Sequence, residues 1–168
     1  IHGFYIFLIG TFHGDLHPGN LIVKGKNYYF IDTGAISHVG EKIQQGLFEF
    51  MMYLSQYDYD GCAMALNHMA DVEIHGKIYD KYHQKMLELY QDFAGKTVSE
   101  VSLTKKMMET IKLGVNSGMV FEKGMFPIIK SMMYLDGMVL KGAPDTIFME
   151  EMRRFIKEFQ DAEESLRK

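Results

Sequence analysis

The sequence predicts an α+β fold that is mainly α, with a small β-hairpin near its start and a helical remainder. Between residues 21 and 31, two short runs of β-branched and aromatic residues flank a segment of turn composition. From Glu41 onward, apolar residues recur at three- and four-residue steps, which is the period of an amphipathic helix. The 168 residues suit a single domain.

The first 40 residues contain the predicted β-structure. Residues 1–12 are almost continuously apolar, and their composition suits either a core helix or a strand. Residues 21–23 and 28–31 are the two arms of the hairpin, and residues 24–27 are its turn. Because a tight hairpin returns the chain, we expect Asn20 and Asp32, at its two ends, to lie close together. Residues 35–40 are predicted to be a connecting loop.

Six helices are predicted after residue 40. We expect the second to be capped by Asp60, and the last to be charged, with Glu150 and Arg154 as an i,i+4 pair. In the fifth, apolar residues occupy more than half the circumference, which predicts a central, buried helix. The predicted ranges are 41 to 56 or 57, 62–69, 78–93, 99–116, 121–140 and 147–167.

The residues that suggest chemistry lie in residues 13–20, which read HGDLHPGN, and in residues 31–34, which read IDTG. The spacing follows the H-x-D-x-x-x-x-N catalytic loop and Asp-x-Gly metal site of kinases. In that scheme Asp15 accepts or orients the proton of the substrate, while Asn20 and Asp32 coordinate Mg²⁺ on the phosphates. The stretch therefore predicts a phosphoryl-transfer site.

This string resembles the UbiB/AarF (ABC1/ADCK-type) family of atypical kinases, whose members typically show H-A-D-P-H-P-G-N and then I-D-F-G. Gly14 and Leu16 replace Ala and Pro in the first motif, and all its polar groups are kept. Thr33 replaces the aromatic residue that helps to set active and inactive positions of the metal-binding Asp, so metal affinity or switching is expected to differ. By the same resemblance, His17 would face the transferred phosphate or the substrate.

The resemblance implies a protein-kinase-like C-terminal lobe that uses ATP and Mg²⁺. Asp15 and His17 would be catalytic, His13, Asn20 and Asp32 would bind the cofactor, and the last two would hold the metal. Proteins of this family support isoprenoid-quinone (ubiquinone) biosynthesis or lipid homeostasis at a membrane. The implied partners are therefore lipid or quinone-pathway proteins at a membrane surface, on the cytoplasmic or matrix side.

A kinase-like fold holds ATP between two lobes, and the small lobe supplies a phosphate-binding loop, a strand Lys and a helix Glu. None of these can be assigned in this sequence, which begins with Ile. We therefore expect a single C-terminal lobe over residues 1–168, with the catalytic loop, hairpin and metal site in residues 1–40 and a helical subdomain in residues 41–168. The N-terminal nucleotide-binding lobe is expected to be missing.

Two alternatives stay open at this point. A small-molecule phosphotransferase of the aminoglycoside or choline kinase type also uses an H-G-D-x-x-x-x-N loop and an I-D-x metal site. The sequence shows no dense acidic cluster for a cationic acceptor, which weighs mildly against that class. The other alternative is a non-catalytic, pseudokinase-like binding module, which Thr33 and the missing lobe favour.

Composition excludes several other classes. A net charge of −4 and a pI near 6.0 give no reason to expect nucleic-acid binding. Cys62 is the one cysteine, so an internal disulfide is impossible and an intracellular compartment is expected. Its small, apolar neighbours predict that Cys62 is buried. The sequence contains no run of about 20 apolar residues, so it does not predict a membrane-spanning helix. The spacings of His68, His75 and His83 match no compact zinc motif.

The sequence also contains 14 methionines, which predict a Met-rich core.

Overall fold

The structure is a computed structural model that describes residue 3 and residues 5–166, and it describes their side chains except at residue 8 and at residues 163–166. It contains four short strands and six helices within the described residues. The strands are β1 (Thr11–His13), β2 (Leu21–Lys24), β3 (Asn27–Phe30) and β4 (Ile36–His38). The helices are α1 (Glu41–Ser55), α2 (Tyr59–Met69), α3 (Gly76–Tyr90), α4 (Leu103–Asn116), α5 (Met125–Gly142) and α6 (Phe148–Leu166).

The predicted hairpin is confirmed as the antiparallel pair β2 and β3, in which Leu21 lies opposite Phe30 and Lys24 lies opposite Asn27. Its turn contains Gly25, whose φ of +62° lies in the left-handed region that glycine adopts without steric cost. The sequence therefore specified this element locally, through two β-type runs and one turn residue.

A second antiparallel pair, β1 with β4, corrects the expectation of a loop over residues 35–40. Thr11 lies opposite His38, and His13 lies opposite Ile36. The open question about residues 1–12 has a mixed answer for the described part, because Tyr5–Ile9 is a π-helical turn and Thr11–His13 is a strand. These three-residue strands are stabilised by pairing with each other, and no local sequence pattern predicts this pairing.

The predicted helices are confirmed in number and approximate position, and the hydrophobic core lies mainly between α1 and α2. Seven of the 15 residues of α1 and seven of the 11 residues of α2 are buried. Helix α6 packs on α1 through aromatic contacts, among them Phe48 and Phe159 with ring centroids 5.1 Å apart. Seven methionines are buried, which confirms the Met-rich core: Met51, Met69, Met86, Met107, Met119, Met125 and Met149.

The prediction that the fifth helix is the central, buried one is wrong. Helix α5 buries Met125, Ile128, Ile129 and Ser131 near its start, and the large apolar side chains at 126, 133 and 140 are about half exposed. Apolar residues over more than half the circumference predicted a central, buried helix, but in this structure helix α5 is buried along one side of its first half only.

The caps and charged pairs differ in detail from the predictions. Asp58, and not Asp60, caps α2, because its side chain accepts a hydrogen bond from the Gly61 N–H. Asp60 instead lies 2.6 Å from the His83 ring. Arg154 pairs with Glu151, and not with Glu150, at 3.0 Å. The predicted end of the last helix at residue 167 lies outside the described residues.

Two further features concern the whole fold. Cys62 is buried, as predicted, and burial raises the pKa of its thiol. None of the described helices is both long enough and apolar enough to cross a membrane.

Candidate active site

The loop between β1 and β2 carries most of the predicted site residues and ends in a 3-10 turn at Pro18–Asn20. His13 is buried at the end of β1, with its ring behind this loop. Its Nδ1 accepts a hydrogen bond from the Asp15 N–H at 3.2 Å, and its Nε2 donates to the Ile31 carbonyl at 3.0 Å. The ring therefore ties the loop to the far end of the hairpin, and its contribution to cofactor binding stays a prediction.

Asn20 fixes the loop from the other side. Its side chain is buried, and its Nδ2 donates to the backbone carbonyl of Asp15 at 3.0 Å. Its own carbonyl accepts from the Ile31 N–H at 3.0 Å, so Asp32 lies one residue beyond the backbone partner of Asn20. The amide oxygen of Asn20 is the atom that this arrangement leaves for a cation.

Asp32 lies at the start of the 3-10 turn Thr33–Ala35 with a φ of +57°. Asp and Asn are the residues, after Gly, that tolerate this left-handed conformation best. The residue is exposed, and its side chain makes no hydrogen bond at this cap. The carboxylate can therefore approach a ligand without breaking a contact of the fold.

The donor set at the ends of the hairpin fits Mg²⁺. Magnesium prefers oxygen ligands and is usually bound through one or two carboxylates, substrate phosphates and retained waters. Asp32 and Asn20 could supply one carboxylate and one amide oxygen. The described residues contain no cluster of three His, Cys, Asp or Glu side chains, so a metal here would depend on phosphate or water for its other ligands.

Asp15 faces a cation that the sequence analysis did not identify. The ammonium of Lys130, on α5, lies 2.9 Å from Oδ1 of Asp15. This hydrogen bond holds the pKa of the Asp15 carboxyl below its usual range and raises the pKa of Lys130. Lys130 is the one charged residue between residues 125 and 135, and a lone cation in an apolar helix was the signal that could have identified it.

Helix α5 makes two further contacts with the same loop. The buried hydroxyl of Ser131 donates to the His13 carbonyl at 3.0 Å. The ring of Tyr134 lies edge-on to the ring of His17, with centroids 6.0 Å apart. His17 is half-buried, and its Nδ1 accepts from the Gly19 N–H at 3.0 Å, which shapes the turn before Asn20.

A cleft of about 650 Å³ lies between the loop, the 34–37 segment and the start of α5. Asp15 and Lys130 line one part of the cleft, and Ile36, Phe126 and Pro127 line another. The cleft therefore combines one ion pair with an apolar wall.

Comparisons with known proteins find a similarity that includes the loop and the hairpin. Residues 3–66 match the family model of the ABC1 atypical kinase-like domain. The chain is 22% identical to a probable protein kinase UbiB of Pasteurella multocida and 21% identical to that of Glaesserella parasuis, over 93% and 92% of this chain. It is also 18% identical, over 90% of its length, to an uncharacterized protein in the hydrogenase 1 5' region of Clostridium pasteurianum.

These alignments cover only part of each relative. The chain spans 30%, 29% and 28% of the lengths of the three proteins, respectively. No solved structure matches the chain. The ABC1 match includes the loop, the hairpin, α1 and most of α2, whereas Lys130 and the rest of α5 lie outside it. On the domain match and the UbiB relatives together, the resemblance of this chain to the UbiB/AarF (ABC1/ADCK-type) family of atypical kinase-like proteins is confirmed.

Proposed function

We propose that this chain is the C-terminal lobe of an atypical kinase or ATPase of the UbiB/AarF type, which transfers or hydrolyses the γ-phosphoryl group of MgATP. The observation that carries the proposal is the hydrogen-bonded loop of His13, Asp15 and Asn20 at one end of a hairpin whose other end leads to Asp32. Kinase chemistry requires a carboxylate at the nucleophile and oxygen ligands at the phosphates. Asp15 would be the carboxylate, and Asn20 and Asp32 would be the oxygen ligands.

The proposed roles follow from the position of each group. Asp15 orients the hydroxyl of the acceptor, or a water molecule, and takes its proton. A bond then forms between that oxygen and the γ-phosphorus, the bond from the γ-phosphorus to the bridging oxygen breaks, and ADP leaves. His17 lies two residues along the same loop and would face the transferred phosphate.

Asn20 and Asp32 would hold Mg²⁺, which neutralises charge on the phosphates when bound. His13 supports the loop at Asp15 and the end of the hairpin at Ile31, through its bonds to the Asp15 N–H and the Ile31 carbonyl. Thr33 follows Asp32 in place of the family's aromatic residue, so the position of the metal ligand would be set by the local backbone and not by a packed ring.

The biological setting is proposed from the relatives. Two of them are named probable protein kinase UbiB. By the resemblance to the UbiB/AarF family, the proposed role is in ubiquinone (isoprenoid-quinone) biosynthesis or lipid homeostasis. The partners would then be ATP and lipid or quinone-pathway proteins at a membrane surface, on its cytoplasmic or matrix side. A kinase-like nucleotide site would also require the groups of a small lobe.

The experiment is MgATP binding by calorimetry, on this chain and on the protein extended N-terminally through its natural reading frame. We expect tight binding by the extended protein, and we expect Asp32→Asn to abolish its Mg²⁺-dependent nucleotide turnover. Asn tolerates the left-handed backbone at residue 32, so this variant removes the charge and keeps the fold. Asp92→Asn, at an exposed position of the helical part, is the control.

A non-catalytic binding module is the second candidate, and one observation favours it. Thr33 stands where the family has an aromatic residue beside the proposed metal ligand Asp32. Failure of the extended protein to bind MgATP would establish this alternative. Unchanged turnover in Asp32→Asn would reject the assignment of the metal site.

A further inference from the structure

Helix α5 contacts three alternate residues of the proposed catalytic loop, at positions 13, 15 and 17. Ser131 is bonded to His13, Lys130 to Asp15, and the ring of Tyr134 lies against His17. Residues 130 and 134 are one helical turn apart and share a face, so one helix surface meets three alternating positions of the loop. The ABC1 match ends at residue 66, which leaves this helix outside the part of the site that the family comparison covers.

The backbone of Asp15 is fixed on both sides. Its N–H donates to His13, and its carbonyl accepts from Asn20. With the backbone fixed, the side-chain torsions of Asp15 determine where its carboxylate points. Lys130 restrains these torsions through its contact with Oδ1.

We propose that Lys130 is a positioning residue for the reaction, which holds Oδ1 of Asp15 so that Oδ2 meets the hydroxyl of the acceptor in the cleft. The inference rests on the proposed function and deepens it, because it adds to the active site a residue from the helical part of the chain.

The surroundings of Lys130 distinguish this contact from an incidental surface ion pair. Ser131 is fully buried and bonded to the loop, so the helix cannot slide or rotate relative to Asp15 without breaking that bond. The ring of Tyr134 lies 5.9 Å from the Lys130 ammonium, within the range of a cation–π contact. The ammonium thus has two fixed neighbours, and it lies on the wall of the cleft.

Partial exposure argues that the pair matters more for orientation than for folding. Lys130 is 53% exposed and Asp15 is 34% exposed, and ion pairs so accessible to water contribute little to the free energy of unfolding. Orientation is different, because a small misplacement of a reacting group can lower a rate about 100-fold. Loss of Lys130 should therefore affect the rate and leave the stability of the fold almost unchanged.

The test is steady-state kinetics with the protein from its natural reading frame. Lys130→Met keeps an unbranched apolar stem and removes the charge, and we expect it to lower kcat roughly 10- to 100-fold. The KM for MgATP and the melting temperature should stay at the wild-type values, and Lys130→Arg should restore most of kcat. Lys141→Met, on the same helix and exposed, is the matched control and should keep full turnover.

A second arm asks whether Lys130 acts through Asp15. In an Asp15→Asn background, Lys130→Met should cause no further loss of the residual rate, because the two residues would act as one unit. A further loss of the same size as in the wild-type background would overturn the inference. If Lys130→Met does not fold, Lys130→Gln takes its place in both arms.

The remaining outcomes also decide the question. Full turnover in Lys130→Met, with an active wild type, would overturn this inference and leave the proposed function standing. A joint change in melting temperature, kcat and KM that Arg does not rescue would assign Lys130 a structural role only. A wild type without MgATP turnover would overturn both proposals.

Discussion

The hydroxyl of Ser131 donates a 3.0 Å hydrogen bond to the backbone carbonyl of His13, which joins helix α5 to the start of the loop between β1 and β2, 118 residues away in the sequence. Both residues are buried. We expect Ser131→Ala to lower the free energy of unfolding by about 1 to 3 kcal/mol, because it removes a bond to a carbonyl that lies away from water. Denaturation in urea, with unchanged m-values, would measure the effect.

The matched control is Ser117→Ala. The Ser117 hydroxyl also donates to a carbonyl, that of Leu113 at 2.8 Å, but both residues belong to one turn at the end of α4. This bond joins no two elements, and the last turn of a helix has access to water. We expect an effect below about 0.5 kcal/mol. Equal losses in the two variants would show that the contact between α5 and the loop adds no stability of its own.

Gly14 is a second point of close approach at the site. A Cβ atom at this position would lie 2.7 Å from the Ser37 hydroxyl and 2.9 Å from the Ala35 carbonyl oxygen. The contact with backbone cannot be relieved by a rotamer change. We expect Gly14→Ala, which restores the residue typical of the UbiB/AarF loop, to lower the free energy of unfolding by about 1 to 3 kcal/mol.

Gly137→Ala is the control for Gly14→Ala. It lies in the exposed interior of α5, where an added Cβ meets nothing within 4 Å. Ala has the higher helix propensity, so we expect this variant to raise the stability by about 0.5 to 1 kcal/mol. If Gly14→Ala were equally neutral or stabilising, the packing of the 35–37 segment against the loop would have to be looser than this structure shows.

These two glycines also show what the sequence could predict. The loop motif was recognisable from residue types and spacing alone, and the β2–β3 hairpin and most helix ranges followed from local periodicity. The close approach of Ala35 to Gly14 depends on the pairing of β1 with β4, which joins two segments of three residues more than 20 positions apart. Such pairing leaves no periodic signal.

Helix α5 was the other failure of prediction, for a related reason. Its composition predicted a central, buried helix, but burial depends on which elements pack against the helix. The same composition concealed the residue of this helix that contacts the Asp15 carboxylate. Lys130 contacts Asp15 only because the tertiary fold brings α5 beneath the loop, 115 positions along the chain.

Tyr59 offers a test in the helical core. Its hydroxyl oxygen is buried and has no hydrogen-bond partner among the described residues, while its ring stacks on Tyr90 with centroids 5.3 Å apart. Tyr59→Phe keeps the ring and removes the unpaired polar group. We expect the free energy of unfolding to rise by about 1 kcal/mol in chemical denaturation at pH 7.

The pH dependence of the same variant has a defined sign. Burial raises the pKa of Tyr59 from 10.0 to about 12. The unfolded chain therefore loses this proton at a lower pH than the folded protein, so the wild type loses stability as the pH rises from about 10 to 12. Tyr59→Phe cannot ionise, and its advantage over the wild type should increase through that range.

Tyr90→Phe is the control for Tyr59→Phe. The Tyr90 hydroxyl lies 3.0 Å from that of Thr110 in the buried core, so its removal costs a hydrogen bond. We expect this variant to lose about 1 kcal/mol at pH 7, where Tyr59→Phe gains about as much. Two variants of the same sign would contradict the assignment of an unpaired hydroxyl at residue 59.

Asp32 allows backbone conformation to be separated from metal binding. Its φ of +57° suits Gly, Asn and Asp but strains a β-branched side chain. We expect Asp32→Gly to stay within about 1 kcal/mol of the wild type, because the relief of the left-handed backbone offsets the greater freedom of the unfolded chain. Asp32→Val should lose about 1 to 3 kcal/mol.

The effect of these Asp32 variants on nucleotide binding should not follow their effect on stability. Gly and Val both remove the carboxylate, so both should abolish the Mg²⁺-dependent part of MgATP binding in calorimetry, although only Val destabilises the fold. This divergence is expected because the Asp32 side chain makes no hydrogen bond at its cap and contributes little to folding. The contrary outcome is that binding falls in proportion to stability, with Asp32→Gly close to the wild type. The carboxylate would then have no part in holding the metal. The conformation of the turn alone would explain why an Asp stands at this position.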